Sequence, residues 1–396
     1  MKQILEGSQA IAQTINNIKP AVISAYPITP QTHIVEDLAK LKADGKADYE
    51  YVRAESEFAA ASIVTGASAA GSRVYTATSS QGLLLMAEVL FNIAGMRLPV
   101  VLTCANRGVS APITIWNDHQ DAMTIRDAGW IMFFAENHQE AIEQHLLAYK
   151  IAEKFNLPAM VNIDGFVLTH TYESVSVPST KEIKKFLPDY KPKKNKYLNT
   201  SDPATFGAFA PPAYYMEIRE ELNNDLLNAK KEINKEYKNL KKLVPTVIKK
   251  QENKTKVNNG LIEYYGPKNP KTVLIAMGSV IGTIKDVVDE CQKNKFCLPT
   301  KTGLIKIKTF RPFPSEEILK IINKARDVAV IEKAITLGGV DGPLATDVKA
   351  VTKNKTIAKI QSFIVGLGGR DVTKKMINKI IYDVKKKSDD LKFVGK

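Results

Sequence analysis

Arg73-Val74-Tyr75-Thr76-Ala77 is a short run of apolar and β-branched residues, Thr78-Ser79-Ser80-Gln81-Gly82 after it is small and polar, and Gly82 to Ala94 carries apolar residues at helical spacing. The reading is strand, turn and helix, and a buried strand at Val100 to Cys104 closes a β-α-β unit. Working outward, the same alternation recurs. A helix is expected over Gly7 to Ile18, a strand over Ala21 to Ala25, a helix through Ile34, Leu38 and Leu41, a strand at Tyr49 to Val52, and a helix rich in Ala and Gly from Ser56 to Ala70. Strands and helices alternating at this spacing imply a mostly parallel sheet with helices on both faces, whose ligands gather at the carboxyl ends of the strands. From Thr171 to Asn259 the pattern gives way to repeated prolines and then a Lys/Glu-rich helix over Met216 to Leu243, an excursion and linker ending at Asn258-Asn259-Gly260. A second α/β unit begins at Thr272 to Ser279, with strands near Thr302 to Ile307 and Asp327 to Ile331 and a helix at Ser315 to Lys324. The expected domains are therefore 1–257, of which 171–257 is the wrapping excursion, and 258–396.

Composition narrows the function. The chain has 396 residues, 44% of them hydrophobic, enough for two cores. The longest strongly apolar stretch, Leu98 to Cys104, is about a third of the ~20 residues that a spanning helix needs, so no membrane role and a cytoplasmic location are expected. Cys104, Cys291 and Cys297 are too few and too scattered for a disulfide framework or an iron–sulfur site. The net charge of +14 is uneven: residues 1–170 carry 12 basic and 17 acidic side chains, and 257–396 carry 26 and 14. No nucleic-acid motif accompanies the surplus. Part of it, including Lys306, Lys308 and Arg311, is expected to steer anionic ligands or dock an acidic partner.

Four clusters fall at strand ends of the first unit. In Tyr26-Pro27-Ile28-Thr29-Pro30 the prolines fix the backbone around a hydroxyl suited to a substrate oxygen, or simply to capping a turn. Glu55-Ser56-Glu57 places carboxylates at the start of the Ala/Gly helix, where the helix dipole favours them whether or not they have a further role. Thr78-Ser79-Ser80-Gln81-Gly82 serves equally as an anion site or a helix cap. Finally, Arg107 follows the buried strand and suits a carboxylate, and Asn117-Asp118-His119-Gln120-Asp121 reads as a metal or base site or as a hydrogen-bonded loop.

These clusters, in this order, resemble the alpha subunit of the 2-oxoacid:ferredoxin oxidoreductases, and within them pyruvate:ferredoxin oxidoreductase. Asp164-Gly165-Phe166, Met277-Gly278-Ser279, Arg311-Pro312-Phe313 and Gly366-Leu367-Gly368 extend the match over nearly the whole chain. The resemblance implies a thiamine diphosphate-binding fold: a pyrimidine-type domain followed by a transketolase C-terminal-like α/β domain. It also implies thiamine diphosphate-dependent oxidative decarboxylation of pyruvate with CoA as cosubstrate, reducing ferredoxin. Glu57 matches the glutamate at N1′ of the aminopyrimidine, with Glu55 the competing candidate; such a carboxylate favours the tautomer whose 4′-nitrogen takes the thiazolium proton, and it is expected to be largely buried. Thr29 and Arg107 match the substrate contacts, and Pro27, Ile28, Ser80 and Gln81 line the cofactor, with Asn117, Asp118 and His119 as further candidates.

In this superfamily a Gly-Asp-Gly motif binds magnesium and diphosphate, and none occurs here; Val340-Asp341-Gly342 and Ile163-Asp164-Gly165 are partial likenesses. Mg2+ and the iron–sulfur clusters are therefore expected on partners: a beta subunit with the thiamine diphosphate motif, and gamma and ferredoxin-like delta subunits. The alternatives are a 2-oxoisovalerate or 2-oxoglutarate enzyme, a lipoyl-dependent 2-oxoacid dehydrogenase beta chain, and a basic scaffold or anion-binding module.

Overall fold

The computed structural model describes residues 2–244, 255–293, 301–386 and 391–395. Cys297 lies outside them. From the N-terminus come β1 (Gln3–Glu6), α1 (Gly7–Ile18), β2 (Val22–Ala25), α2 (Thr32–Ala43), β3 (Glu50–Arg53), α3 (Glu57–Ala69) and β4 (Val74–Thr78). Then follow α4 (Ser80–Leu85), α5 (Ala87–Gly95), β5 (Val101–Asn106), α6 (Gln120–Thr124), β6 (Ile131–Phe134), α7 (His138–Phe155), β7 (Ala159–Asp164), β8 (Tyr172–Val175), α8 (Thr180–Phe186) and α9 (Pro212–Leu243). The helix expected from Gly82 instead starts at Ser80, with Ser79 at the N-cap position but its hydroxyl not bonded to the helix, and is interrupted at Met86.

A seven-stranded sheet forms the first core. Six strands, in the order β6-β7-β5-β4-β2-β3, are parallel, as the sequence implies, and all but the largely exposed edge strand β3 are buried under the helices. The second sheet is built from β9 (Thr255–Asn258), β10 (Ile262–Tyr265), β11 (Thr272–Ala276), β12 (Thr302–Ile307), β14 (Asp327–Glu332), β15 (Lys359–Ile364) and β16 (Lys392–Phe393). Its helices are α10 (Val280–Lys293), α11 (Ser315–Ile322), α12 (Pro343–Thr352) and α13 (Lys374–Asp383). The short strand β13 (Thr309–Arg311) leaves the second sheet after β12 and pairs antiparallel with β6, so one chain crossing stitches the two sheets together.

Helix α9 starts one turn earlier than its charge pattern suggests, with Pro212 in the first turn, where a missing N–H costs no hydrogen bond. It buries Leu222, Ala229, Ile233, Tyr237 and Leu240, about 1.5–3 kcal/mol for each large apolar side chain. Its N-terminal Tyr214, Tyr215 and Met216 stay exposed.

Between the sheets lies a buried ionic network, and it overturns one expectation. Lys306 and Lys308 are not a docking surface: each is 3% exposed. The Lys306 amine lies 2.6 Å from Glu136, 2.8 Å from Glu140 and 3.5 Å from Glu263. Lys308 faces Glu140 and sits over the Tyr237 ring at 3.9 Å. Arg311 is likewise engaged, 2.8 Å from Asp347. The reason is geometric. Strand alternation on β12 turns Lys306 toward the acidic face of α7, and a charge buried there is tolerated only when paired. Burial pulls the Lys306 amine down, but the three carboxylates outweigh it and hold it well above its ordinary value.

Candidate functional site

The carboxyl ends of β2, β4 and β5 converge. Ser56 caps α3, its hydroxyl accepting from the Ala59 amide at 3.1 Å, so Glu57 opens the helix in its first turn. Glu57 is 7% exposed, and its carboxylate has no hydrogen-bond or ion-pair partner among the described residues. It lies against Gly82: a Cβ built there would stand 2.6 Å from Glu57 Oε1 and 2.5 Å from Thr78 Oγ1. Glycine is required by this close approach. Thr78 Oγ1 and Ser79 Oγ are buried and also without partners. The buried carboxylate and the orphaned Thr78 hydroxyl around this glycine, with the orphaned Ser79 hydroxyl one residue on in the chain, form a polar cradle, since such groups are costly unless bonded. That donor set fits the amino and ring nitrogens of an aminopyrimidine. Glu55, by contrast, is not buried.

Arg107 is brought to Thr29. Its Nη1 donates to the Thr29 carbonyl at 2.9 Å and its Nε to the Thr114 carbonyl at 2.7 Å. The guanidinium is 7% exposed and ion-paired with no carboxylate among the described residues. Burial lowers its pKa, while Asp121 raises it. With two donors satisfied by neutral carbonyls, the rest of the fork is free for an anion. Thr29 is exposed beside it. The tract is held from behind by Gln31, which is fully buried, accepts from the Ile28 amide at 3.2 Å and donates to the Ala77 carbonyl at 2.7 Å. Tyr26 and Pro27 are exposed and Ile28 half-buried on the same rim.

Ser80 and Gln81 have a different setting from Glu57. The Ser80 hydroxyl donates to the Gly108 carbonyl at 2.7 Å, leaving Gln81 the more accessible of the two. Asp121 is the fastener beneath them. Its carboxylate accepts from the amides of Ser80 and Arg107, both at 3.0 Å, and from Asn106 at 2.9 Å. Burial pushes its pKa up to about 6 against those donors. One carboxylate thereby fixes the start of α4 to the base of Arg107.

Asn117, Asp118 and His119 point the other way, into the junction with the second sheet. His119 Nε2 is 2.6 Å from Asp164 Oδ1, and Lys333 Nζ reaches Asp164 at 2.9 Å and Asn117 at 2.8 Å. Ser279 also donates to Asp164, through its amide at 3.2 Å and its hydroxyl. Burial would raise the Asp164 carboxyl, yet Lys333 and His119 outweigh it and hold it far below the usual carboxylate range. Gly278 turns here at a φ of 78°, and a Cβ on it would come within 2.8 Å of Asp164. Asp118 accepts from the Gly368 amide at 3.1 Å, and burial raises its pKa. The Ile163-Asp164-Gly165 and Val340-Asp341-Gly342 carboxylates are both spoken for, the latter by Lys349 at 2.9 Å. Sequence reasoning placed Thr78, Ser79, Gly82 and Asp121 inside candidate clusters without giving them individual roles, and it missed Gln31. The only signal was the small-hydroxyl run before Gly82, which a helix cap mimics.

Two family models match. One, described as pyruvate flavodoxin/ferredoxin oxidoreductase, thiamine diP-bdg, covers residues 14–238; the other, pyruvate:ferredoxin oxidoreductase core domain II, covers 271–377. Pyruvate synthase subunit PorA of Methanocaldococcus jannaschii is 44% identical over 98% of this chain and 96% of its own length. The PorA subunit of Methanosarcina barkeri is 44% identical over 97% of this chain and 92% of its own. Among solved structures, 2-oxoglutarate:ferredoxin oxidoreductase from Magnetococcus marinus, with 2-oxoglutarate, coenzyme A and succinyl-CoA bound, superposes with a TM-score of 0.74 at 20% identity. The match covers 96% of this chain and 65% of that longer one, and it is a likeness of fold.

Proposed function

The chain belongs to the pyruvate flavodoxin/ferredoxin oxidoreductase family, and on that premise we propose that it is the alpha subunit of a pyruvate:ferredoxin oxidoreductase. The reaction is the oxidative decarboxylation of pyruvate with CoA to acetyl-CoA and CO2, its two electrons passing to ferredoxin; run backwards it is pyruvate synthase. The observation that carries the reading is the buried Glu57 carboxylate, unpartnered among the described residues, against Gly82 and the orphaned Thr78 hydroxyl. Thiamine diphosphate, when bound, supplies an electron sink for the carbanion left by decarboxylation.

This chain's own residues prepare that chemistry. Glu57 holds a proton at N1′ of the aminopyrimidine, where low exposure keeps water from competing for it. Arg107 takes the carboxylate of the 2-oxoacid with the donors that Thr29 and Thr114 leave unused, and Thr29 orients it. The Arg107 grip must slacken as the carboxylate departs, since uniform binding of substrate and transition state gives no gain in rate. Ser80, Gln81, Pro27 and Ile28 form the surrounding wall, and Asn117, Asp118 and His119 lock that wall to the second sheet.

The diphosphate with its Mg2+ is assigned to a beta subunit, and the iron–sulfur clusters to partner subunits, among them a ferredoxin-like delta subunit, because no Gly-Asp-Gly and no C-x₂-C spacing occurs here. A gamma subunit completes the complex, which works in the cytoplasm; no described helix is long and apolar enough to cross a membrane. The test is co-purification with the partner subunits and assay of ferredoxin reduction with pyruvate, 2-oxoisovalerate and 2-oxoglutarate, each with CoA. Glu57→Gln should abolish pyruvate-dependent reduction, a loss of about 10²–10⁴-fold. Full activity in that variant would remove the N1′ assignment, and a requirement for lipoamide would move the chain to the dehydrogenase class.

A further inference from the structure

Away from the Glu57 cradle, three side chains from three separate elements meet: Glu6 at the end of β1, His33 in the first turn of α2, and His170 in the turn between β7 and β8. One ligand atom from each lies within 4.8 Å of the other two. We propose that Glu6, His33 and His170 form a binding site for a divalent transition-metal ion of the zinc class.

The donor set argues for that class. Two imidazoles and one carboxylate suit zinc, nickel or copper and are a poor match for magnesium or calcium, which take oxygen ligands. The geometry is close to closed. His33 Nδ1 and Glu6 Oε1 are 2.7 Å apart, and the His33 and His170 rings lie 4.3 Å centroid to centroid. Zinc–ligand bonds of about 2.0–2.2 Å put tetrahedral donors roughly 3.3 Å apart, so the first contact opens and the third ligand closes by side-chain torsion alone.

His170 is already oriented. Its Nδ1 lies 2.6 Å from Thr169 Oγ1, which also accepts from the Phe166 amide at 2.8 Å. In the tautomer that carries its proton on Nδ1, the ring donates to that oxygen and leaves Nε2 as the ligating nitrogen, the kind of outer contact that metal-binding histidines ordinarily have. His33 keeps 45% of its side chain exposed, which gives the ion an entry and a water its fourth position. Asp37 stands near enough to Glu6 and His33 to feel both, adding negative potential. A bound ion would cross-link the β1–β8 ribbon, α2 and the turn after β7. Gly165 in that turn already packs on Pro30, next to Thr29.

The full chain, stripped with chelator, is titrated with Zn2+ against a chromophoric indicator. The wild type should bind one equivalent, unaffected by excess Mg2+. His33→Ala, an exposed position that leaves folding intact, and His170→Gln should each lower the affinity at least ~10-fold, the loss expected even of an outer-sphere partner. A second readout is built in: Trp116 lies 4.6 Å from Phe166, which lies 4.8 Å from His170. Ni2+ should therefore quench Trp116 fluorescence in the wild type and fail to do so in His33→Ala. No zinc retained by the wild type, or equal affinity in wild type and both variants, would overturn the site.

Discussion

Glu143→Gln is expected to make the protein more stable, and increasingly so as pH rises. Glu143 sits on α7 beneath the second sheet, 8% exposed, among Glu140, Glu263, Lys306 and Lys308. Burial raises its pKa from the ordinary 4.5 to about 8; Lys308 opposes the rise and Glu140 adds to it. The sign follows from linkage. A carboxyl with a raised folded pKa costs nothing below the unfolded value and progressively more as pH climbs toward the folded one, because the native state must hold a proton that the unfolded chain releases. At about 1.36 kcal/mol per pH unit the penalty is under about 1 kcal/mol at pH 5, about 3 at pH 7, and levels off near 5 above pH 8. Glutamine has the same shape and no proton to hold. Burying its amide adds a fixed term that moves every point equally and leaves the slope alone. The assay is urea unfolding of wild type and variant at pH 5, 7 and 8.5, followed by far-ultraviolet circular dichroism. An advantage of the variant that is level across this range, or that shrinks with rising pH, would refute the buried protonated carboxyl.

Gly82→Ala should push a methyl into the space of Glu57 Oε1 and Thr78 Oγ1; overpacking of this kind costs about 1–3 kcal/mol, and equilibrium dialysis of the assembled complex should show thiamine diphosphate affinity falling several-fold or more. Arg107→Lys removes the planar fork and its contacts to Thr29 and Thr114, so steady-state kinetics should show KM for the 2-oxoacid rising about 10- to 100-fold, more than kcat falls. Lys333→Met leaves the buried Asp164 short of its cation and should destabilise the chain by about 3–5 kcal/mol, read as a lower urea midpoint.

The β4-turn-α4 reading was legible in the sequence because it rests on local chemistry. β-branched residues favour the pleat, hydroxyls favour the cap, and the switch from period 2 to helical spacing marks the turn. The same locality marked Glu55 and Glu57 as carboxylates at a capped helix start, and the choice of Glu57 between them came from the family resemblance. Lys306 and Lys308 were misread because their environment is set by residues more than 140 positions away on α7; sequence charge alone does not say whether a lysine meets water or a glutamate. Asn117 to His119 carried an ambiguous pattern for the same reason, since their partners Asp164, Lys333 and Gly368 come from distant strand ends and turns.

What the amino-acid order settled was therefore the kind of layers, the presence of two α/β units, and which residues stand at the strand ends, all consequences of periodicity and backbone preference acting over a few residues. Tertiary structure decided the rest. Among the described residues it left Glu57 without a partner and Arg107 without a counter-ion, and it turned Lys306 of β12 and Lys308 just after it inward. It also set Glu6, His33 and His170 side by side, because burial and pairing depend on which distant segments the packed sheets bring into contact.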